Sequence, residues 1–215
     1  MKRIYTLIFA SYLLLSYSYA QEEIWELKKE DEGIKVYLMD IEGSNTKAYK
    51  AEALVESKLS AIVAVLKDVQ NHDRLFTDNI ENELLETSDT FQVYYAVTDI
   101  PWPLADRDGV YSYRFRQDYY SKDVKVIIQS EPGFVPEKKG LVRVEKAEGY
   151  WLLEPVDYNK VLVTFQMHAE SGGNIPSWLV NMFLVDSPMK YIKNLRERVT
   201  LDRYKSQKFG FLVEY

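Results

Sequence analysis

Nine residues in the middle of the chain decide its fold: Ile100-Pro101-Trp102-Pro103-Leu104-Ala105-Asp106-Arg107-Asp108. Both prolines lack the backbone N–H that a β-ladder needs and have a fixed φ, so the stretch predicts a rigid corner between two strands. Arg107 and Asp108 begin the second strand, where a buried guanidinium–carboxylate network would lock the corner. We therefore interpret Pro101, Trp102, Pro103, Arg107 and Asp108 as a structural motif.

A second motif opens a long helical pattern: Gly172-Gly173-Asn174-Ile175-Pro176-Ser177-Trp178-Leu179-Val180-Asn181. The glycine pair permits a sharp turn out of the preceding strand, and Pro176 is tolerated in a first helical turn. The pattern runs from about 175 to 202, and Pro188 is expected to kink or split it. Apolar residues recur every three or four positions and predict the face that packs on a sheet: Trp178, Met182, Val185, Met189, Ile192, Leu195 and Val199.

Strand-like runs separated by turn residues fill most of the remaining chain. They cover 34–41, 46–55, 80–87, 90–99, 109–118, 123–131, 139–147, 149–155 and 160–170. Residues 22–29 predict a short amphipathic helix, and Ser57 is expected to cap a second helix that reaches about Val69. The sequence thus predicts an α+β fold within one domain over 21–215. A curved antiparallel sheet of about nine strands would wrap on a long C-terminal helix and leave a ligand cavity between them.

The composition excludes several classes of function. The 215 residues include 27 basic and 33 acidic side chains, a net charge of −6, which gives no general attraction for nucleic-acid phosphate. There is no Cys, so disulfide scaffolds, thiolate metal sites and Cys nucleophiles are excluded. With two His residues, we expect no metal site.

Residues 1–20 have the pattern of a cleaved signal peptide. Lys2 and Arg3 precede an apolar run over 4–15, and the small residues Ser18 and Ala20 precede Gln21. The run is shorter than the ~20 residues that span a bilayer. We therefore expect cleavage near Ala20/Gln21 and a secreted or periplasmic mature protein. Without residues 1–20, the chain keeps 25 basic and 33 acidic residues, a net charge of −8.

The two motifs, together with Gly140-Leu141-Val142-Arg143, resemble the StAR-related lipid-transfer (START) family. The spacing agrees from Trp25 to about Leu201, and the chain resembles a bacterial secreted member. The resemblance implies a helix-grip fold that encloses one lipid in an internal tunnel, with no cofactor and no catalytic residues. The expected function is to bind one hydrophobic ligand (a lipid, a sterol-like molecule or an isoprenoid) and to carry or sense it.

Strand alternation and the resemblance together suggest which residues line the tunnel. Relatives carry an arginine six residues after that of the Arg-Asp pair, and here Tyr113 takes that position, while the acidic partner's position falls at Tyr94. Two hydroxyls in place of an ion pair favour a weakly polar ligand over a phosphodiester. Alternation instead places Phe91, Val93, Tyr95 and Val97 on the more apolar face, so both Tyr94 and Tyr95 stay open. The expected lining residues are Tyr94, Tyr111, Tyr113, Phe115, Arg143, Val163, Phe165, Met167, Met182, Leu195 and Val199.

Four apolar residues are predicted to form a lid: Phe134, Val135, Trp178 and Pro188. Because the chain is acidic, transient membrane contact would depend on such exposed apolar residues rather than on charge. We expect a monomer, and the sequence implies no particular protein partner.

Two alternative functions stay open. One is a helix-grip enzyme of the polyketide cyclase or aromatase type, which would use Tyr, Arg or His for acid–base chemistry. The other is a scaffold whose cavity is closed by side chains.

Overall fold

The computed structural model describes residues 24–170, 179 and 182–214. Its strands are β1 (Glu26–Asp31), β2 (Ile34–Met39), β3 (Ala48–Val55), β4 (Asn79–Thr87), β5 (Phe91–Thr98), β6 (Arg107–Gln117), β7 (Val124–Ser130), β8 (Val142–Arg143), β9 (Lys146–Asp157) and β10 (Lys160–Glu170). Its helices are α1 (Leu59–Lys67), a 3-10 helix (Val69–Arg74), a π-helical turn (Met182–Asp186), α2 (Ser187–Arg198) and α3 (Asp202–Lys205).

The strands form one sheet in the order β1-β2-β3-β10-β9-β7-β6-β5-β4. Neighbours along this path are antiparallel, and the short β8 pairs in parallel with the start of β6. A sheet of this size has to twist and curl, and helices α1 and α2 cover one of its faces. The predicted α+β helix-grip fold is therefore confirmed.

Side chains alternate between the helix-covered face and the outer face of the sheet. On β10, Val161, Val163 and Phe165 join the main core beneath the helices. Strand β5 is buried on both faces, because Tyr94 and Ala96 belong to the main core whereas Val93, Tyr95 and Val97 form a second cluster with Val110. Val135 and Leu141, from the segment between β7 and β8, pack over this second cluster on the outer face.

The predicted helix over 22–29 is wrong, since residues 26–31 form the exposed edge strand β1. Glu32 and Gly33 both have positive φ, 50° and 68°, and they connect β1 to β2. Two consecutive residues with positive φ form the hairpin turn that matches the twist of two paired strands. Pairing with β2 thus overrides the helical pattern.

The predicted capping role of Ser57 is also wrong. Its hydroxyl donates to the Lys58 carbonyl oxygen at 3.1 Å instead of accepting from the helix. The first amides of α1, those of Leu59 and Ser60, donate to the Glu214 carboxylate at 3.2 and 3.1 Å. The C-terminal tail therefore caps this helix.

The helical backbone is not split at Pro188, since Asp186 has helical φ and ψ of −79° and −39° and only the type of helix changes. The π-helical turn ends at Asp186, and α2 starts at Ser187 with Pro188 in its first turn. The strands predicted over 139–147 and 149–155 are replaced by the two-residue β8 and the twelve-residue β9. Within the described ranges, no helix combines the length and apolar character required to cross a bilayer.

Candidate functional site

A cavity in two compartments lies between the helix-covered face of the sheet and the C-terminal helical region. We name the first the corner compartment, because the two ends of the Pro-Trp-Pro corner line it. It has a volume of about 200 Å³, and its own lining includes Ile100, Arg107, Val144, Phe183 and Leu184. We name the second the tyrosine compartment. It has a volume of about 120 Å³, and its own lining includes Phe76, Tyr94, Tyr113, Ile128 and Phe165.

Five side chains line both compartments and therefore lie between them: Tyr49, Thr98, Tyr111, Met167 and Tyr191. Four come from β3, β5, β6 and β10, so the sheet builds most of this boundary. Tyr191 comes from α2, and its hydroxyl donates to an Asp78 carboxylate oxygen at 2.8 Å. This bond ties the helix to the segment before β4.

The tyrosine compartment contains a pair of buried hydroxyls. The Tyr94 hydroxyl donates to that of Tyr113 at 3.2 Å, and the two rings meet edge to face with centroids 5.1 Å apart. Burial raises the pKa of Tyr113 to about 12 and that of Tyr94 well above its usual value. Burial likewise raises the pKa values of Tyr49, Tyr111 and Tyr191. At neutral pH all five groups are neutral hydroxyls that both donate and accept hydrogen bonds.

His72 lies behind the tyrosine compartment. Its ring packs edge to face on Tyr94 at 5.1 Å and on Phe76 at 5.3 Å, and its Nε2 lies 3.0 Å from the Leu66 carbonyl oxygen. Because a carbonyl oxygen accepts, Nε2 carries the proton. Burial lowers the pKa of His72 to about 4, so the ring is neutral at physiological pH. This histidine supports the wall of the cavity without adding charge.

One side chain in the lining of the corner compartment is a cation, Arg107, which was not among the predicted lining residues. Arg107, which was predicted to lock the corner, also lines the cavity, and its guanidinium donates to the Ala105 carbonyl oxygen within the corner. The Asp106 carboxylate also holds the corner, by accepting from the Ile100 N–H at 3.0 Å. Trp102, between the two prolines, is 90% exposed at the tip of the corner.

The predicted tunnel residue Arg143 lies on the outer face. It makes a bidentate pair with Asp108, with distances of 3.0 Å from Nε and 2.8 Å from Nη2 to the carboxylate oxygens. Its guanidinium also donates to the carbonyl oxygens of Pro132, Val135 and Pro136. Both side chains are almost fully buried, 2% and 1% exposed. Arg143 therefore fastens the loop between β7 and β8 to the start of β6.

The predicted lid residues lie apart from the cavity where the structure describes them. Val135 packs on the second cluster at the outer face, and Phe134, in the same loop, is 47% exposed. The loop's carbonyls are held by Arg143, which explains why it lies across the outer face. Pro188 is buried at the start of α2. Trp178 falls outside the described residues.

The structure brings five of the predicted lining residues to the cavity: Tyr94, Tyr111, Tyr113, Phe165 and Met167. Four others are buried in the main core without lining either compartment: Phe115, Val163, Leu195 and Val199. The side chain of Met182 falls outside the described residues. Tyr94, rather than Tyr95, faces the cavity, because Tyr95 belongs to the second cluster on the outer face.

Sequence reasoning missed Tyr49, Thr98 and Tyr191. Tyr49 could have been predicted from β3, because residues two apart in a strand share a face. It lies on the same face as the buried Ala51, Ala53 and Val55. Tyr191 lies beside the apolar stripe of α2 rather than in it, and its partner Asp78 is distant in sequence. In the part of the chain that the structure describes, no three His, Cys, Asp or Glu side chains are grouped as metal ligands would be.

Comparison with known proteins agrees with this geometry. The family model of the START domain matches residues 10–205. An uncharacterized protein of Pseudomonas aeruginosa is 36% identical over 179 residues, which are 82% of this chain and 87% of that protein. The phosphatidylcholine transfer protein of Rattus norvegicus is 30% identical over 178 residues, 80% of this chain and 81% of that protein.

Solved structures of lipid-transfer proteins are also similar to this chain. The STAR-related lipid transfer protein of Xanthomonas axonopodis is 37% identical, with a TM-score of 0.76 over 82% of this chain and 99% of that one. Human STARD10, at 19% identity, has a TM-score of 0.70 over 82% of this chain and shares the fold. With a helix-gripping sheet, an internal cavity and a family match over most of its length, the chain belongs to the START domain family.

Proposed function

We propose that this protein binds one hydrophobic, weakly polar ligand in the two-compartment cavity and carries or senses it. The observation that carries the proposal is the Tyr94–Tyr113 hydroxyl pair, buried among aromatic rings in the tyrosine compartment. Such a pair satisfies one hydroxyl or carbonyl group of a ligand while the rings contact its apolar part. The ligand classes that fit are neutral lipids, including sterol-like and isoprenoid molecules.

The electrostatics of the tyrosine compartment favour a neutral group there. A phosphodiester moved out of water needs charged partners, since burial of even a neutral group without a hydrogen bond costs on the order of 2–7 kcal/mol. Among the described residues that line the cavity, Arg107 is the one cation, and it lies in the corner compartment. The relatives named for phosphatidylcholine transfer support lipid binding in general. The choice of ligand rests on the residues of this chain.

The same groups argue against the enzyme alternative. A general acid or base works best with a pKa near the operating pH. The pKa of His72 is lowered to about 4, and the pKa values of the cavity tyrosines are raised, that of Tyr113 to about 12. His72 also lies behind Tyr94 rather than in the cavity wall. These positions and charge states suit binding better than proton transfer.

The decisive experiment is native mass spectrometry of protein purified from its own host, followed by extraction of the bound lipid. We expect one neutral lipid per chain. Recovery of phospholipid in a one-to-one ratio would contradict the neutral-ligand proposal, and Arg107 would then be the residue to test. Conversion of an added polyketide-type substrate would favour the cyclase or aromatase alternative.

We also propose that residues 1–20 are removed on export and that the mature protein is secreted or periplasmic. The basic start, the short apolar run and the small residues before Gln21 support this proposal. Mass measurement of exported protein should give an N-terminus at Gln21 or within about two residues of it. Exported protein that still begins at Met1 would contradict it.

A further inference from the structure

One of the side chains between the compartments lies over a glycine of its own strand. A Cβ atom added to Gly109 would lie 2.3 Å from the hydroxyl oxygen of Tyr111 and 2.5 Å from its Cζ. Gly109 and Tyr111 are two apart on β6 and share the helix-covered face. The phenol ring is therefore folded back over Gly109, in space that a side chain would occupy.

A second side chain that lines both compartments has the same arrangement. Met167 on β10 pairs across the sheet with Gly149 on β9. A Cβ atom on Gly149 would lie 2.7 Å from the Met167 Sδ and 2.2 Å from the backbone oxygen of Gln166. Tyr111 and Met167, which both line the two compartments, are thus each accommodated by a glycine. We name the place where these two side chains line both compartments the constriction.

The compartments are small when taken separately. At roughly 30 Å³ per methylene-sized group, similar to a water molecule in the liquid, volumes of about 200 and 120 Å³ hold about seven and four groups. A ligand of lipid size must therefore occupy both compartments and pass the constriction lined by Tyr111 and Met167. The part of it that crosses this constriction has to be narrow.

We propose that Gly109 and Tyr111 determine the specificity of this site, and that its ligand is a narrow, single-chain molecule with a small neutral polar end. Linear and isoprenoid chains fit this description, whereas a diacyl phospholipid or a fused-ring sterol is too wide at the constriction. The polar end lies at the Tyr94–Tyr113 pair, and the chain extends into the corner compartment. The inference rests on the proposed function and narrows its ligand class.

The test measures the binding of straight-chain primary alcohols, from about six to about sixteen carbons, by isothermal titration. Each buried methylene should improve the dissociation constant about fourfold until the compartments are full. We expect the wild-type affinity to level off at about eleven carbons, the combined capacity of the two compartments.

Gly109→Ala is the informative variant, because a methyl group on the cavity-facing side of β6 must lift the Tyr111 ring into the constriction. A chain anchored at the Tyr94–Tyr113 pair is then confined to the tyrosine compartment, which holds about four groups, so the affinity should not improve from about six carbons onward. Gly133→Ala is the matched control, since it adds the same methyl group in the outer-face loop, where nothing lies within 4 Å, and it should keep the wild-type limit. Tyr111→Ala opens the constriction, and cholesterol should compete at least about tenfold better than in the wild type.

Melting temperatures establish that each variant is folded, and Tyr111→Ala carries the test if Gly109→Ala does not fold. An unchanged length limit in folded Gly109→Ala, or unchanged cholesterol competition in Tyr111→Ala, would overturn the inference. So would a wild-type affinity that still improves at about sixteen carbons. Wild-type protein that binds none of the alcohols would overturn the proposed function itself, which is a different result.

Discussion

Arg107 and Asp108 are neighbours in the chain, and β6 turns their side chains to opposite faces of the sheet. Arg107 contributes to the ligand cavity, and Asp108 anchors the outer loop through Arg143. Burial alone would raise the pKa of Asp108, but hydrogen bonds and charge from Arg143 lower it. The carboxylate therefore stays ionised in the folded protein, and its charge is matched by the guanidinium.

Loss of the Asp108 charge should be strongly destabilising. Asp108→Asn leaves the buried Arg143 guanidinium without its carboxylate, and breaking a buried pair costs roughly 3–5 kcal/mol. Denaturant unfolding measures this loss. The double variant Asp108→Leu/Arg143→Met removes both charges and should recover at least part of the stability. A change of less than about 1 kcal/mol in Asp108→Asn would contradict a structural role for the pair.

His72 should make the stability of the protein depend on pH. In the folded protein the pKa of the His72 ring is about 4, so the ring is neutral at any higher pH. In the unfolded chain a histidine takes up a proton near pH 6.5. Between these values the unfolded chain binds more protons, so the free energy of unfolding falls as the pH falls. His72→Gln should lack this contribution.

The measurement is the difference in unfolding free energy between wild type and His72→Gln at several pH values. At pH 7.5, above both pKa values, it reports the packing change alone. Between pH 7.5 and pH 4, the unfolding free energy of the wild type should fall by roughly 3 kcal/mol relative to that of His72→Gln. A difference that is constant with pH would mean that His72 is not held neutral.

Single residues also show what the sequence could predict at the site. Alternation on β6 correctly grouped Tyr111 and Tyr113, because only one face of that strand looks into the cavity. On β5 alternation failed, because a loop more than thirty residues away covers the outer face and makes both faces apolar. Arg143 was misplaced for a similar reason, since its partner Asp108 is 35 residues earlier. Contacts distant in sequence leave no periodic signal.

At the scale of elements, the C-terminal tail functions as part of two others. The Glu214 carboxylate accepts from the first amides of α1, where the helix dipole also favours a negative charge. The Gln117 side chain, at the end of β6, donates to the Val213 carbonyl oxygen at 2.7 Å and accepts from the Val213 N–H at 2.8 Å. The tail thus connects the start of α1 to the end of β6.

Glu214→Ala should destabilise the protein by about 1 kcal/mol, the usual contribution of a helix N-cap. Thermal and denaturant unfolding measure the effect, with Glu145→Ala as an exposed control. Because the cap lies apart from both compartments, ligand affinity should not change. Equal stability of the two variants would show that the tail contributes no cap.

Elements with strong local signals were predicted well, and those set by their neighbours were not. The β2–β3 hairpin and α1 follow clear periodicity. Residues 26–31 have helical spacing, yet the Glu32-Gly33 turn directs them onto β2. A glycine after a charged amphipathic stretch is typical both of a helix end and of a hairpin turn, so tertiary pairing decides between them.

At the scale of the whole molecule, exposed aromatic residues lie beyond both ends of β6. Trp102 precedes the strand, and Tyr120 follows it at the hairpin to β7; each is 90% exposed. Eleven strand residues separate these ends by roughly 36 Å. Trp102 lies beside the corner compartment, and Tyr120 lies at the far end of the strand. We predict that the protein contacts a membrane through the corner, because Ile100 and Arg107 on either side of it line the cavity.

Trp102→Ser should weaken the binding of the protein to neutral phosphatidylcholine vesicles by at least about tenfold, because burial of a large apolar side chain is worth roughly 1.5–3 kcal/mol. Stability should change by no more than about 0.5 kcal/mol, as expected for an exposed side chain. Tyr120→Ser is the matched control and should bind like the wild type. Vesicle sedimentation measures all three proteins.

The lipid charge provides a second readout. With a net charge of −8 after removal of residues 1–20, anionic lipid should not strengthen the wild-type binding. Equal losses in Trp102→Ser and Tyr120→Ser, or stronger binding to anionic vesicles, would contradict contact through the corner.

The order of strands in the sheet has a consequence for biogenesis. Strand β3 (48–55) pairs with β2 on one side and with β10 (160–170) on the other, so its second partner lies near the end of the chain. A ribosome, or a channel that a chain crosses from its amino end, releases β1 to β3 long before β10. The first three strands therefore remain an incomplete sheet until about a hundred further residues have been released. The pairing of strands so far apart in sequence is also slow. The fold delays its own completion until almost the whole chain is available.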